Sequence, residues 1–509
     1  MKLLPMILAT FLFSQLSVCV LAQSQSNIVA RQNSSTLLPN PTIQTQGLEG
    51  IWQGTIEAGG TKLRLILKVA KSTNDTFTAT LDVPDQGATG VPVDTVTVNE
   101  ATIRFEFKSL GAVYEGVINK EGTAITGHWN QAAMTLPLTL NRVDKAPAAS
   151  NRPQEPKKPY PYDEEEVSYE NKRDGVRLAG TLTLPRTKGP YPAVLLITGS
   201  GKQDRNEAML GHKPFLVLAD YLTRRGIAVL RVDDRGVGGS TGEGGFDKAT
   251  SENFAEDVLA GIVFLKTRKE INTKRIGLIG HSEGGIIAPL VAARSADVAF
   301  IVLMAGPGLT AEEGFPNQVS STAKTSGASN ESIAWNRRLL RQIFLIMKAE
   351  KDNAAAEKKI RELRAKMLGE MSEEQRKKYG IPEDAMEGAI KLMLTPWFRF
   401  YMTYDPRATL KKVRVPVLAI TGERDLQVVP ARENLAAIAE ALKAGGNKDY
   451  TVIEVPKLNH LFQTSETGSP AEYGRIEETI SPAVLEMIGA WIAKQTAPKP
   501  NNTVRGAAR

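Results

Sequence analysis

The chain has 509 residues, 42% of them hydrophobic and 23% charged, the make-up of a soluble globular protein too long for one ordinary core. Its net charge of +7 is small beside 63 basic and 56 acidic residues, and no stretch interleaves basic with aromatic side chains, so no nucleic-acid partner is expected. The single cysteine, Cys19, and four histidines without HExxH spacing lead us to expect neither thiolate chemistry nor a metal or other cofactor.

Residues 1–22 carry Lys2, a largely apolar run to Leu21, and the small residue Ala22 before Gln23. This is the layout of a secretory signal peptide cleaved after Ala22, which predicts a periplasmic or secreted protein without a stable membrane span after cleavage. Leu16-Ser17-Val18-Cys19 resembles a lipobox, but Val18 is too large for the position before a lipidated cysteine. Residues 23–46 are rich in Ser, Asn and Gln and predict a disordered lead-in.

From 47 to 143 the pattern changes to about eight short alternating runs broken by Gly, Asn and Asp, which predicts a small antiparallel β-barrel or sandwich. Gly50-Ile51-Trp52 resembles the G-x-W opening of lipocalin-type barrels. An accessory domain plugged by its own side chains is favoured over a ligand pocket. Residues 144–163 hold Pro147, Pro153, Pro156, Pro159 and Pro161 and predict an extended linker.

From 164 to 495 strands and helices alternate. A hairpin turned at Asp174-Gly175 leads into repeated β–α units, which predicts an α/β fold with a doubly wound, mostly parallel sheet of about eight strands. Residues 309–408 interrupt that alternation and predict a helical cap: one long helix over 333–365, a continuation over 370–378, and an amphipathic helix over 386–400. Met393, Trp397 and Phe398, with Met386 and Phe400, either line a hydrophobic substrate pocket or dock the cap on the core. Residues 496–509 predict a frayed tail.

The chemistry gathers around residues 276–290, IGLIGHSEGGIIAPL. An apolar strand, a turn with Ser282 between glycines, and a helix pattern make a nucleophile elbow, G-x-S-x-G. A second copy, Gly238-Gly239-Ser240-Thr241-Gly242, leads into Gly244-Gly245 rather than a helix, which sets Ser240 aside. A serine hydroxyl needs a histidine base held in its tautomer by a carboxylate. His281 is adjacent in sequence, but its side chain would point into the sheet, so it is assigned packing. His460 falls in a loop after the last strand, and Asp425 follows the strand before it, giving the order Ser, Asp, His; Glu423 is the alternative acid. The backbone amides of Ser200 and Glu283 are the expected oxyanion donors. Asp204-Arg205 and Asp233-Asp234-Arg235 are expected to brace the oxyanion loop.

The runs ITGSGKQDRN, RVDDRGVGGSTG, GHSEGG, TGERDLQVVP and LNHLFQ together resemble bacterial α/β-hydrolase esterases, near the dienelactone-hydrolase and serine-aminopeptidase-like groups. The resemblance covers about residues 164–494 and implies hydrolysis of carboxylic esters of small to medium acyl chains through an acyl-enzyme, with Ser282, Asp425 and His460 as the triad. The expected partner is a small-molecule ester. Thr198 stands where the usual oxyanion loop has histidine, which leaves a backbone donor unaffected. A serine peptidase of the same fold, and a ligand-binding barrel on an inactive hydrolase scaffold, are the rival readings; a propeller-bearing peptidase would need more chain ahead of the catalytic domain.

Overall fold

The computed structural model describes residues 47–497 except 59–60, 73–75, 85–87, 132–133, 146–150, 243–244, 326 and 380–386. The expected signal peptide, the lead-in, residues 498–509 of the expected tail, and Met386 lie outside the described residues.

Alternating side chains produce the first sheet. Its strands are β1 (Gly50–Ala58), β2 (Thr61–Lys71), β3 (Phe77–Val83), β4 (Ala88–Pro92), β5 (Thr95–Asn99), β6 (Thr102–Phe107), β7 (Ala112–Ile118), β8 (Ala124–Gln131) and β9 (Met134–Val143). They pair antiparallel in the order β4-β3-β2-β1-β9-β8-β7-β6-β5, so β4 and β5 form the two edges of a curled, open sheet. Every second residue of β2 (Leu63, Leu65, Leu67, Val69) and of β6 (Ile103, Phe105, Phe107) is buried, as the period of a strand requires. Trp52 sits among them, fully buried, with its indole N–H donating to the Leu48 carbonyl at 2.8 Å and the Arg142 guanidinium 4.5 Å from its ring. Tyr114 reaches across the same interior to the Ile125 carbonyl at 2.9 Å. The inner face is thus occupied by the domain's own aromatic side chains.

The second sheet has eight strands: β10 (Asp163–Asn171), β11 (Val176–Leu184), β12 (Tyr191–Ile197), β13 (Ala228–Val232), β14 (Ile271–His281), β15 (Val298–Met304), β16 (Val417–Gly422) and β17 (Tyr450–Val455). Their order is β10-β11-β13-β12-β14-β15-β16-β17; β10, β11 and β13 pair antiparallel and the remaining pairs are parallel. The expected hairpin closes where Asn171 pairs Val176. The central strands are apolar at nearly every position because helices cover both faces. Leu195, Leu278, Ile301 and Ala419 face one core, with α2 (Ser251–Lys266), α3 (Gly284–Ala292) and α11 (Ala431–Ala444) over it. Val194, Leu196, Ile279 and Leu418 face the other, with α1 (Pro214–Thr223) and, after the short α12 (Pro470–Tyr473), α13 (Pro482–Thr496). Thr496, expected to open the tail, is instead the buried last residue of α13.

The cap divides more finely than its sequence pattern suggests. It holds α4 (Ala311–Thr325), α5 (Asn330–Ala349), α6 (Asn353–Gly369), α7 (Glu373–Tyr379), α8 (Glu387–Met393) and α9 (Pro396–Thr403), followed by α10 (Pro406–Leu410). The helix expected over 333–365 breaks at 350–352, where the Asp352 side chain accepts the Ala355 amide at 2.8 Å and starts a new helix. The one expected over 386–400 breaks before Pro396, with Thr395 capping the Phe398 amide. Among the described residues no helix is long and apolar enough to cross a membrane.

From Arg152 onward the Pro-rich segment lies against the hydrolase sheet's surroundings. Arg152 donates to the carbonyls of Leu210, Gly211, Gly474 and Ile476 at 2.8–3.3 Å. The Gln154 amide exchanges bonds with the backbone of Thr479 and Ile480.

Candidate active site

Ser282 stands between β14 and α3 with φ of 53°, a left-handed conformation that aims its side chain off the end of the sheet. The turn closes only because its neighbours lack side chains. A Cβ on Gly280 would lie 2.0 Å from the Gly284 carbonyl oxygen, and one on Gly284 would lie 2.3 Å from that of Ile197. The Ser282 amide is held by the Met304 carbonyl at 2.8 Å, so the elbow is tied to the next strand. Ser240, the other glycine-flanked serine, is engaged in structure: its hydroxyl donates to the Asp233 carbonyl at 2.7 Å and accepts the Ala179 amide at 2.9 Å.

His460 and Asp425 come from loops following β17 and β16. The His460 Nδ1 lies 2.8 Å from Asp425 Oδ2, and both side chains are buried. The other oxygen, Oδ1, accepts the amides of Gln427 at 2.7 Å and Val428 at 2.9 Å. Burial alone would raise the Asp425 carboxyl, but the His460 ring beside it and the two amides hold it below the usual carboxylate range. An ionised carboxylate only accepts, so Nδ1 carries a proton, the tautomer in which the neutral ring presents its lone pair at Nε2. Glu423, the alternative acid, is exposed and accepts the Lys457 amide at 2.9 Å.

Ser282 and His460 line one cavity of about 140 Å³, together with Ser200, Glu283, Trp397 and Tyr401. The loop carrying Ser200 is braced as expected from its charged residues. Asp234 accepts the Thr198 hydroxyl at 2.8 Å and the Gln203 amide at 2.9 Å, while Asp233 takes the Arg205 amide and guanidinium at 2.8–3.1 Å. Arg235 turns the other way, to Asp257 and Asp174.

The Glu283 carboxyl accepts from Ser251 at 2.6 Å and from the Trp397 indole at 2.7 Å, both at Oε1. Burial pushes it up, against the pull of those donors. Trp397 therefore bonds a cap helix to the residue following the nucleophile. Of the expected pocket residues that are described, Trp397 alone lines the cavity. Phe398 and Met393 are fully buried in the cap's own core, where Phe398 meets Phe315 edge-on at 5.8 Å. Phe400 stacks on Tyr404 at 5.2 Å. The reason is helical spacing: Trp397 and Tyr401, four apart, share the face toward the cavity, and Phe398 and Met402 share the face toward α4 and α5.

His281 is buried as expected, but it is not apolar packing. Its Nδ1 lies 2.9 Å from Glu207 Oε1 and its Nε2 3.0 Å from the His460 carbonyl oxygen. Glu207 also accepts the Gly199 amide at 2.7 Å. Neither Glu207, Ser251 nor Arg152 announces itself in the sequence, because each reaches its partner across a loop rather than along an element.

A mixed, doubly wound sheet with a serine elbow at one strand end, and a His–Asp pair on the loops after later strands, defines an α/β-hydrolase. The model of the X-Pro dipeptidyl-peptidase (S15) family matches residues 174–454, more than half of the chain, and the chain belongs to that family. It is 27% identical to the esterase EstD of Thermotoga maritima over 322 residues, which are 62% of this chain and 66% of that protein. The match thus spans just under two thirds of that relative's length. Among solved structures it is similar to the α/β-hydrolase GrgF from Penicillium sp. sh18 (TM-score 0.41, 17% identity, covering 65% of this chain and 99% of that one). It is also similar to Est1E from Butyrivibrio proteoclasticus, solved with ferulic acid bound (TM-score 0.39, 18% identity, 65% and 100%).

Proposed function

We propose that the protein is an exported serine hydrolase that cleaves small carboxylic esters through an acyl-enzyme. The observation that carries this reading is the His460–Asp425 pair at 2.8 Å opening onto the cavity that holds Ser282. Ser282 Oγ attacks the acyl carbon as His460 Nε2 takes its proton; Asp425 keeps the ring in the required tautomer and stabilises the imidazolium. The Ser200 and Glu283 amides receive the developing oxyanion. His460 then returns the proton to the leaving alkoxide, and water repeats the sequence to release the acid.

A cavity of about 140 Å³ takes a group of roughly benzene size, which favours short acyl chains. Turnover of p-nitrophenyl esters should therefore be highest for acetate to butyrate and fall for chains of about eight carbons or more. Family membership favours a second reading, amide cleavage behind an X-Pro dipeptide. Assaying the esters beside X-Pro p-nitroanilides separates the two: a larger kcat/KM on the anilides would reject the ester reading. Export rests on the pattern of residues 1–22 and is tested by the mass of the secreted protein, which should begin at Gln23.

A further inference from the structure

We propose that His281 and Glu207 form a buried, charged positioning pair that holds the oxyanion loop and the His460 loop in place around Ser282. Three contacts make the case. Glu207 Oε1 accepts the Gly199 amide at 2.7 Å, immediately before Ser200. The same oxygen lies 2.9 Å from His281 Nδ1. On the far side of the ring, Nε2 lies 3.0 Å from the carbonyl oxygen of His460 itself. One imidazole thus joins the two loops that flank the nucleophile, and it is the residue next to that nucleophile.

The hydrogen-bond inventory sets its charge. A carbonyl oxygen only accepts, so Nε2 carries a proton. An ionised Glu207 only accepts as well, so Nδ1 carries the other. Both nitrogens donating makes His281 an imidazolium. Glu207 and His281 are 2% and 5% exposed, and a buried charge of either sign persists there only because the other neutralises it. Burial alone would lower the ring's pKa, but the Glu207 charge and hydrogen bond, the His460 carbonyl and the Asp425 charge hold it above the ordinary value. Glu207 is also held at φ of 51°, a left-handed conformation that a non-glycine residue rarely keeps without fixed surroundings. Two aromatic rings also lie beside it, that of His460 at 4.9 Å and that of Phe462 at 6.4 Å.

Protonation gives the pair its signature. With its pKa raised, the ring stabilises the fold fully below its unfolded value, and that contribution is lost as pH rises through the folded one. On that alkaline side one of the two ring donors disappears, a loop is released, and turnover falls. Glu207→Gln removes the charge that sustains the imidazolium, so the loss should begin at lower pH.

The role of the pair rests on Ser282 and His460 being the reacting residues, so the parent is first tested for fluorophosphonate labelling at Ser282. An unlabelled parent defeats the hydrolase reading; in a labelled parent, the variants test the positioning pair alone. Ester turnover is measured from about pH 6 to about pH 10 for the parent, Glu207→Gln, His281→Ala and the double variant. Glu207→Gln should lower kcat about tenfold or more with KM within about twofold, and move the alkaline limb at least about one pH unit toward acid. The double variant should be no worse than His281→Ala, because the two act as a unit. An unmoved alkaline limb in a folded Glu207→Gln, or additive losses, overturns the proposal. Nitrogen-15 histidine spectra of the parent provide a reading that needs no variant: a buried ring with both nitrogens protonated at neutral pH is expected, and a neutral His281 overturns it.

Discussion

Single residues carry the chemistry, and their environments say how much each should matter. Asp425 is closed off by two amides and the His460 ring, whereas Glu423 is exposed and bonded to a backbone amide. Asp425→Asn should therefore lower ester turnover by about 10⁴, and Glu423→Gln should leave it within about threefold, in steady-state assays. Equal losses would reassign the acid. His460→Ala should cost at least about a thousandfold. The elbow glycines make a different demand. A Cβ at Gly284 meets the Ile197 carbonyl oxygen at 2.3 Å, a backbone atom that no side-chain rotation can clear. Gly284→Ala should destabilise by about 3 kcal/mol or more in denaturant unfolding, and an unchanged midpoint would contradict that geometry.

At the scale of elements, the link between cap and core runs through Trp397 on α9 and Glu283 at the elbow. Removing the indole N–H takes from a buried carboxyl one of the two side-chain donors, Ser251 and Trp397, that hold it. Trp397→Phe should thus cost about 1–3 kcal/mol in thermal or denaturant unfolding while keeping the ring's apolar contacts. Elements also explain what could be read from the chain alone. Ser282 and Asp425 each follow a strand with a clear apolar run, His460 follows the mixed, half-buried strand β17, and chain order brings all three to the same edge of a parallel sheet. The cap was legible as helical but not in its joints or its facing. The break at Asp352 depends on one side chain capping one amide, and Asp is equally at home on a solvated helix surface. Which aromatic meets the cavity depends on a rotation of about 100° per residue, so Trp397 and Phe398, adjacent in sequence, end in different surroundings. Glu207 was illegible for another reason: its partners lie on β14 and on the loop containing Gly199, which become its neighbours only after the chain folds back.

Across the whole molecule, the segment joining the two sheets is, from Asn151 onward, built into the hydrolase. Arg152 caps carbonyls on two loops, one containing Leu210 and the other adjoining Tyr473, and both of those residues line the cavity. His212 lies at the same junction, with Nδ1 2.9 Å from the Thr479 hydroxyl and Nε2 2.9 Å from the Tyr473 carbonyl. Burial and the Arg152 charge push its pKa down to about 4. The sign follows from the lowered value: unfolded histidine takes up a proton below about pH 6.5 and the folded one does not until about pH 4. Stability should therefore fall across that window, by about 3 kcal/mol at its acid end, and His212→Gln should flatten the fall in a pH series of unfolding curves. The first sheet has its interior filled by Trp52, Phe105 and Tyr114, and among the described residues it contributes none to the cavity around Ser282.

The central claim, that Ser282 is a nucleophile activated by His460, is tested most directly by fluorophosphonate labelling of the folded protein followed by peptide mass spectrometry. The account predicts one adduct, on the peptide carrying Ser282, which disappears in His460→Ala and persists in Ser240→Ala. An unlabelled Ser282 in the folded parent, or labelling undiminished in His460→Ala, would contradict it.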